Sequence, residues 1–436
     1  MMLSPQQAIL ASWSFPPWVT ALDLLAALLY VRGWLLLRRV IPSRFPAWRL
    51  LSFIGGIAAL QIALASPIDA FDPFFLTDHM AQHMILMMVV PPFVLLGNPM
   101  IPLLRGLPRR FARKVIAPLL RWRPVAAFFR KITNPAFCWL VFAISMVGWH
   151  LPGPYDLALR SDSWHDVEHA TFLFASILFW WPVIQPWPSR ARWPRWTVPV
   201  YLILADFVNS AVSAFLVFSG RVIYAPYLAF PRLGTISAAS DQVLAGVVMW
   251  FVGGFAFVIP AIFFVAKLLS PQRLTPAPVQ HRLHIPESRF RRVALPAITL
   301  ILPIAALAYG YLAPSGIDTD GAVVRTQEIS GPFRITVFTE PDPLSVGPCD
   351  ISVLVQDRES GEPILDAPVS LAIERPNATS DPPEAIPATI EESSLKLLES
   401  GTVDLPRQGT WNLRVSVGRG AATGEARAVL NATAQD

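Results

Sequence analysis

The chain has 436 residues, of which 53% are hydrophobic and only 15% are charged. Soluble domains average about 25% charged residues, so this composition excludes an ordinary soluble enzyme and a disordered protein. With two cysteines, Cys138 and Cys349, it also excludes a disulfide scaffold.

The formal net charge of +5 is divided unevenly along the chain. Residues 1–313 hold 26 Lys and Arg against 11 Asp and Glu, a net charge of +15, whereas residues 314–436 hold 9 against 19, a net charge of −10. Loops that flank membrane spans account for the basic part, so no nucleic-acid partner is needed. The sequence therefore predicts a membrane region, 1–313, and an acidic soluble domain, 320–436.

The first region contains eight apolar segments of the length needed to cross a bilayer, which is about 20 residues in a helix. We expect an all-α polytopic membrane bundle of about eight transmembrane helices, with spans at 17–37, 50–66, 77–97, 135–151, 167–185, 197–219, 241–268 and 293–313.

Basic residues are concentrated in every second connection. The connections after spans 1, 3, 5 and 7 hold four, nine, three and six Lys or Arg, counting Lys267 at the end of span 7, and the others are acidic or nearly neutral. Because Lys and Arg mark cytoplasmic loops, we expect both termini on the outer, periplasmic side of a bacterial cytoplasmic (inner) membrane.

The C-terminal region shows a different periodicity. Polar and apolar residues alternate over 333–357, 369–374 and 411–418, and Pro, Gly and Asp separate these runs. This pattern is typical of short antiparallel strands. We expect a C-terminal all-β immunoglobulin-like sandwich outside the membrane.

Five of the seven histidines fall at the outer ends of the predicted spans: His79, His83, His150, His165 and His169. Two pairs, His79/His83 and His165/His169, are spaced i, i+4, which places both imidazoles of a pair on one helical face. A single histidine at this depth is more often an interfacial anchor. Two pairs and a fifth histidine on one side indicate a metal or haem site.

Other side chains near the histidines could complete such a site. Met80 and Met84 offer soft thioethers, which together with imidazole favour Cu(I), although packing is an equal alternative for them. Asp241 is a possible additional member, or a helix cap. The acidic residues Asp78, Asp166 and Glu168 are candidates for orienting the imidazole rings.

No catalytic arrangement is evident, so we expect that the protein is not an enzyme. The deeper polar residues Asp206 and Asn209 lie inside span 6, where a polar group is either functional or paired structurally.

The segments that carry these histidines resemble the CtaG family of caa3-type cytochrome c oxidase assembly factors. The resemblance lies in DHMAQHMILM (78–87), PPFVLLGNP (91–99), WHLPGPYDLAL (149–159), WHDVEHATFLF (164–174) and DQVLAGVVMW (241–250), in the family's order. The tail is similar to YtkA/FixH-like periplasmic β-domains, mainly through PDPLSVGPCDISVLVQD (341–357).

The resemblance implies a chaperone-like role in cytochrome c oxidase assembly, assisting copper delivery to the oxidase's catalytic subunit. We expect the five histidines to hold Cu(I) at the outer face and the β-domain to dock the oxidase or a periplasmic copper chaperone. Two alternatives stay open: a membrane b-type haem protein with histidine ligands from two helices, and a copper transporter.

Overall fold

The computed structural model describes residues 5–186, 189, 193–233, 236–270, 322–374, 385–393 and 395–434. The predicted eighth span, 293–313, lies outside them, as do parts of the connections after spans 5 and 7.

Within the described residues, six helices are long and apolar enough to cross a membrane. We number the spanning helices in chain order. Together with one shorter helix, α4, they are α1 (Pro17–Arg38), α2 (Ala47–Ala70, interrupted at Ser66), α3 (Leu76–Leu96), α4 (Pro135–Trp149), α5 (Asp162–Ile184), α6 (Thr197–Phe218) and α7 (Ala238–Leu269). Helix α4 has only 15 residues and becomes a seventh span when it is joined to the preceding helix.

The joined pair consists of Arg123–Ile132 and α4, which meet at an angle of 63°. The break falls at Asn134, whose side-chain oxygen accepts a hydrogen bond from the Ala136 amide at 3.0 Å, with Pro135 at the first helical position. Both features start a new helix rather than continue an old one. At the other end α4 stops at Trp149, because Pro152 disfavours helical backbone at Leu151.

The basic connection after α3 is itself helical, which the sequence analysis did not predict. Its helices are Met100–Gly106, Arg109–Phe111, Ala112–Ile116 (a π-helical turn), Ala117–Arg121 and Arg123–Ile132. Three further short helices, Pro5–Ala11, Pro152–Leu159 and Pro226–Ala229, lie outside the spans.

Two glycines bring α1 and the helix Met100–Gly106 into very close contact. A Cβ atom added to Gly33 would lie 1.8 Å from the Pro102 carbonyl oxygen, and one added to Gly106 would lie 2.0 Å from the Leu29 carbonyl oxygen. Small residues that allow such close backbone approach are a common way to pack helices in membranes.

Helix α3 contains a π-helical turn at Ile85–Val89. Pro91 has no backbone N–H, so the Met87 carbonyl loses its usual helical partner. The Trp180 indole of α5 donates to that carbonyl at 3.1 Å instead. This contact ties α3 to α5 about one turn after His83 in α3 and about three turns after His169 in α5.

The C-terminal region folds into two four-stranded antiparallel sheets, as the alternation predicts. One sheet has the order β1-β2-β3-β6 and the other β5-β4-β7-β8. The strands are β1 (Val323–Ser330), β2 (Phe333–Glu340), β3 (Gly347–Asp357), β4 (Val369–Glu374), β5 (Ile386–Ala388), β6 (Glu399–Leu405), β7 (Gly409–Arg419) and β8 (Ala422–Ala432).

Strands β2 and β3 are buried on both faces. One face, including Val337 and Val353, forms the core between the two sheets. The other face carries Phe338 and Leu354 and packs against the helical region. Two-sided burial explains the continuous apolar run at the centre of β3, where a sheet with one wet face would alternate.

The contact between the sheets and the helices is mainly apolar. The Phe338 ring lies 6.1 Å from Phe74 and 5.6 Å from Phe230, between ring centroids. Two polar contacts add to it: Gln356 Nε2 donates to the Arg232 carbonyl at 3.2 Å, and the Lys396 amide donates to Ser12 Oγ at 3.0 Å. We call this end of the helical bundle the β-sheet end.

Candidate metal centre

All five predicted histidines are buried near the β-sheet end of the bundle. His79 and His83 lie in the first two turns of α3, His165 and His169 lie in the first two turns of α5, and His150 directly follows α4. Each is between 0% and 8% exposed. Three helices therefore contribute to one cluster.

The imidazole rings pack directly against one another. Ring centroids are 4.2 Å apart for His79 and His83, and 4.1 Å apart for His165 and His169. Between helices, His83 lies 5.3 Å from His169 and 6.5 Å from His150, and His79 lies 5.3 Å from His165. The structure thus brings all five rings together.

Several ring nitrogens have no hydrogen-bond partner among the described residues. They are both nitrogens of His83 and the Nε2 atoms of His79, His150 and His169. His150 Nδ1 donates to the Met146 carbonyl at 2.6 Å, which leaves its Nε2 as a bare acceptor. Buried polar atoms are almost always paired, so a cluster of unpaired nitrogens indicates a ligand or ordered water.

Two buried carboxylates join the histidines, one on each side of His79. Asp72 Oδ2 lies 3.2 Å from His79 Nδ1 and 3.1 Å from His165 Nε2. Glu168 lies with Oε2 3.7 Å from His79 Nε2 and with Oε1 3.7 Å from His83 Nε2. Both carboxylates are 0% exposed, so the cluster is a mixed nitrogen and oxygen donor set.

Asp72 is the member that the sequence analysis missed. It lies in the connection between α2 and α3, and its distance of seven residues from His79 is not a helical spacing. Its acidic character in an otherwise apolar connection was the only available signal. Of the three acidic residues predicted as candidates for orienting the imidazole rings, Glu168 belongs to the cluster, whereas Asp78 and Asp166 do not belong to it.

The environment of Asp72 keeps its carboxyl charged. Burial by itself raises the pKa of this group, but the nearby His165 and His79 rings reverse that effect and hold the pKa below its usual range. Since Asp72 is ionised, it can compensate the charge of a protonated imidazole or of a bound cation.

Three buried tyrosines in mutual contact link the connection that carries Asp72 to the backbone of His150. The Tyr227 hydroxyl donates to the Asp72 carbonyl at 3.0 Å and lies 3.0 Å from the Tyr155 hydroxyl. Tyr155 stacks on Tyr224, whose hydroxyl donates to the His150 carbonyl at 3.0 Å. Burial raises the pKa of Tyr227 well above its ordinary value, so its hydroxyl stays a donor.

Asp241 does not reach the histidines. Its carboxylate accepts hydrogen bonds from the backbone amides of Leu76 and Thr77, at 2.9 and 3.1 Å, and from the Thr77 hydroxyl at 2.7 Å. Arg232 lies 3.4 Å from the same carboxylate. Asp241 is therefore a cap, as the alternative interpretation had it, but it caps the start of α3 rather than its own helix. It fixes the helix that carries His79.

The remaining candidates lie in the helical core. Met80 and Met84 are buried in the main apolar cluster together with Met87 and Met146. Asn209 Nδ2 donates to the Met249 carbonyl at 3.2 Å, which gives this deep amide a structural partner between α6 and α7.

The donor set determines which ions the cluster can hold. Imidazole suits copper, zinc and iron, and carboxylate oxygens make the set harder than imidazole with thioether. Two groups of three residues have ligand atoms within 4.8 Å of one another: Asp72, His79 and His165, and His79, His83 and Glu168. The residues present therefore fit a transition-metal ion.

Comparison with known proteins gives one family match. The model for the family described as cytochrome c oxidase caa3 assembly factor (Caa3_CtaG) matches residues 28–270, a range that contains all five histidines and both carboxylates. No solved structure matches the chain.

Similar curated proteins come from mycobacteria and are themselves described as uncharacterized. The chain is 28% identical over 252 residues to proteins of Mycobacterium bovis and Mycobacterium tuberculosis, covering 56% of this chain and 37% of each relative. A Mycobacterium leprae protein is 23% identical over 287 residues, covering 64% of this chain and 41% of the relative. The chain thus spans about two fifths of the length of these relatives.

Proposed function

This chain belongs to the cytochrome c oxidase caa3 assembly factor (Caa3_CtaG) family, and from that premise we propose that it holds copper for delivery to the oxidase. The site of action is the outer face of a bacterial cytoplasmic membrane. Its role is that of a non-catalytic, multi-pass membrane chaperone for the metal.

The observation that carries this proposal is the buried cluster itself. Five imidazoles and two carboxylates from three helices and one connection meet at one end of the bundle, and five of the ring nitrogens have no hydrogen-bond partner among the described residues. Leaving a buried polar group unpaired costs about 1–3 kcal/mol. A cluster of this kind is retained when a bound ion satisfies it.

Copper is the proposed ion because the family's oxidase contains copper and imidazole is a good copper ligand. The five histidines, His79, His83, His150, His165 and His169, exceed the three or four ligands that one ion needs. Surplus ligands favour a cargo that is held and released over one that stays permanently. The carboxylates also suit Cu(II), so the oxidation state is part of what has to be measured.

The β-sheets support a role in partner recognition. They lie on the end of the bundle that contains the cluster and contact Phe71 and Phe74, which flank Asp72. We propose that this region docks the oxidase's catalytic subunit or a periplasmic copper chaperone. The basic connections at the other end of the bundle support the proposal that the cluster lies on the outer side, because Lys and Arg are concentrated in cytoplasmic loops.

The geometry disfavours the haem alternative. Two axial imidazoles must lie on opposite faces of a flat macrocycle, whereas these rings contact one another at 4–5 Å across and within the helices. A transporter requires ligands that continue across the membrane. Of the two deeper polar candidates in α6, Asn209 donates to the backbone of α7 through Nδ2, and Asp206 belongs to neither group of potential ligands among the described residues.

Metal analysis of the detergent-purified full chain tests the proposal. We expect about one copper ion per chain and no haem absorption band. Replacing the five histidines as a set should remove the copper, and His83→Ala or His169→Ala should lower oxidase activity in cells, while the abundance of the protein in the membrane stays unchanged. His281→Ala, in the basic segment after α7, is the matched control and should change neither.

Copper content that is unchanged when all five histidines are replaced together would contradict the proposal. A fall in membrane abundance that precedes any loss of copper would instead identify the histidines as structural.

A further inference from the structure

The ring of His79 faces two different groups of ligands. Its Nδ1 atom lies 3.2 Å from Asp72 Oδ2, and that oxygen is 3.1 Å from His165 Nε2. On the opposite edge of the ring, Nε2 lies 3.7 Å from Glu168, which is also 3.7 Å from His83 Nε2. One imidazole therefore separates two groups that each contain one carboxylate and a second histidine.

The distances in both groups suit a metal ion. Bonds of 2.0–2.1 Å in a tetrahedral site put the ligand atoms about 3.3 Å from one another. The carboxylate–imidazole separations of 3.1, 3.2 and 3.7 Å lie on either side of that value, and all the ligand atoms of each group lie within 4.8 Å of one another. Because the lone pairs of the two imidazole nitrogens point away from each other, a single ion cannot bind both, so the two groups are two positions.

We propose that the site offers copper two alternative positions, an outer one formed by Asp72, His79 and His165 and an inner one formed by His79, His83 and Glu168. This inference rests on the proposed copper-handling function and specifies how the cargo is held. The shared imidazole makes the positions mutually exclusive, because a ring that binds a cation through one nitrogen holds its remaining proton on the other.

The two positions lie at different depths. His83 follows His79 by one turn of α3, roughly 5 Å along the helix axis, and Glu168 likewise follows His165 by about one turn of α5. Asp72 lies before α3 begins, in the connection that the β-sheets cover. The outer position thus faces the docked β-sheets, and the inner position lies towards the centre of the bundle.

Charge is balanced at each position separately. The outer group contains only the Asp72 carboxylate and the inner group only Glu168, and both carboxylates are 0% exposed. A buried charge is tolerated when it is paired, so a cation at either position meets one anionic ligand. His150 and His169, whose Nε2 atoms have no partner among the described residues, lie beside the inner group.

A double-mutant cycle on the full chain in detergent distinguishes two positions from one. Cu(I) affinity is measured by competition with a chromophoric Cu(I) chelator for the wild type, Asp72→Asn, Glu168→Gln and the combined variant. With two alternative positions, each single change leaves the other position usable, so we expect affinity to fall by less than about tenfold. The combined change should lower it more than a hundredfold, beyond the product of the two single effects.

His165→Ala and His83→Ala repeat the cycle with imidazoles in place of carboxylates. Their combination should again lower affinity by more than the product of the two single effects. Asp166→Asn is the matched control, since it removes an exposed carboxylate from the same helix as Glu168, and it should leave affinity unchanged.

If the combined variant loses no more affinity than the product of the two single effects, the inference is overturned, because that result is expected when Asp72 only orients His79 for a single ion. Loss of all binding in Glu168→Gln alone would also overturn it. In both of those outcomes the wild type still binds copper, so the proposed function stands. A wild type that binds no copper overturns the proposed function as well.

Discussion

Replacing Phe338 by Ala should separate the docking of the β-sheets from their folding. Phe338 is 1% exposed and lies on the outer face of β2, against Phe74 and Phe230 of the helical region. The core between the two sheets is a different cluster, formed by the opposite face of the same strand. The substitution therefore removes a contact between regions while leaving the core between the sheets intact.

The magnitude follows from what the ring contacts. Truncating a buried Phe to Ala costs about 3–5 kcal/mol, and a favourable aromatic pair, such as the edge-to-face contact with Phe74, contributes about 0.5–1.5 kcal/mol of that. Part of the loss falls on Leu354 within the β-region, so we expect docking to weaken by about 3 kcal/mol. That corresponds to roughly a 150-fold change in the docking equilibrium.

Hydrogen–deuterium exchange measures this directly. Amides of the connection Phe71–Phe75 should exchange faster in Phe338→Ala, while amides in the central strands β3 and β7 keep their protection. Val429→Ala is the matched control, because Val429 is 59% exposed on β8, and it should change neither set. Unchanged exchange in the connection would refute the reasoning. Equal loss of protection in the strands would show that Phe338 supports folding instead.

Three further outcomes are expected. Gly33→Ala should lower the melting temperature in detergent, since its Cβ would lie 1.8 Å from a carbonyl oxygen and overpacking costs about 1–3 kcal/mol. Gly148→Ala is the control, because an added Cβ there has nothing within 4 Å, and it should be neutral or stabilising. Equal melting temperatures for the two variants would contradict this prediction. Burial raises the pKa of the Glu399 carboxyl from its ordinary 4.5 to about 7, so the folded β-region holds a proton that the unfolded chain releases. The free energy of unfolding of the isolated region 320–436 should therefore decrease as the pH rises from about 4.5 to 7, by at most about 3 kcal/mol. Glu399→Gln should remove this decrease when melting is measured as a function of pH. A decrease that persists in the variant would assign the effect to other groups. Burial followed by repulsion from a neighbouring carboxylate raises the pKa of the Cys349 thiol to about 12, so it should resist alkylation at pH 8 until the β-region unfolds; rapid labelling of the folded protein would disprove this.

The sequence by itself determined those features that depend on local periodicity. Apolar segments of bilayer length predicted the spanning helices, and alternation predicted the strands, including β4 at its observed bounds, Val369–Glu374. The i, i+4 spacing placed His79 beside His83 and His165 beside His169. These properties follow from helix and strand geometry within one segment, so no knowledge of the neighbouring segments is needed.

Tertiary structure alone decided how separate segments combine. Asp72 enters the cluster because the tyrosines and the β-sheets hold its connection against α5, and no spacing in the sequence relates it to His165. Asp241 caps the start of α3, about 165 residues away along the chain, rather than joining the histidines. The second buried face of β2 and β3 likewise depends on what the helical bundle presents. Contacts between segments depend on the rotation and depth of each helix, which packing sets and local pattern does not record.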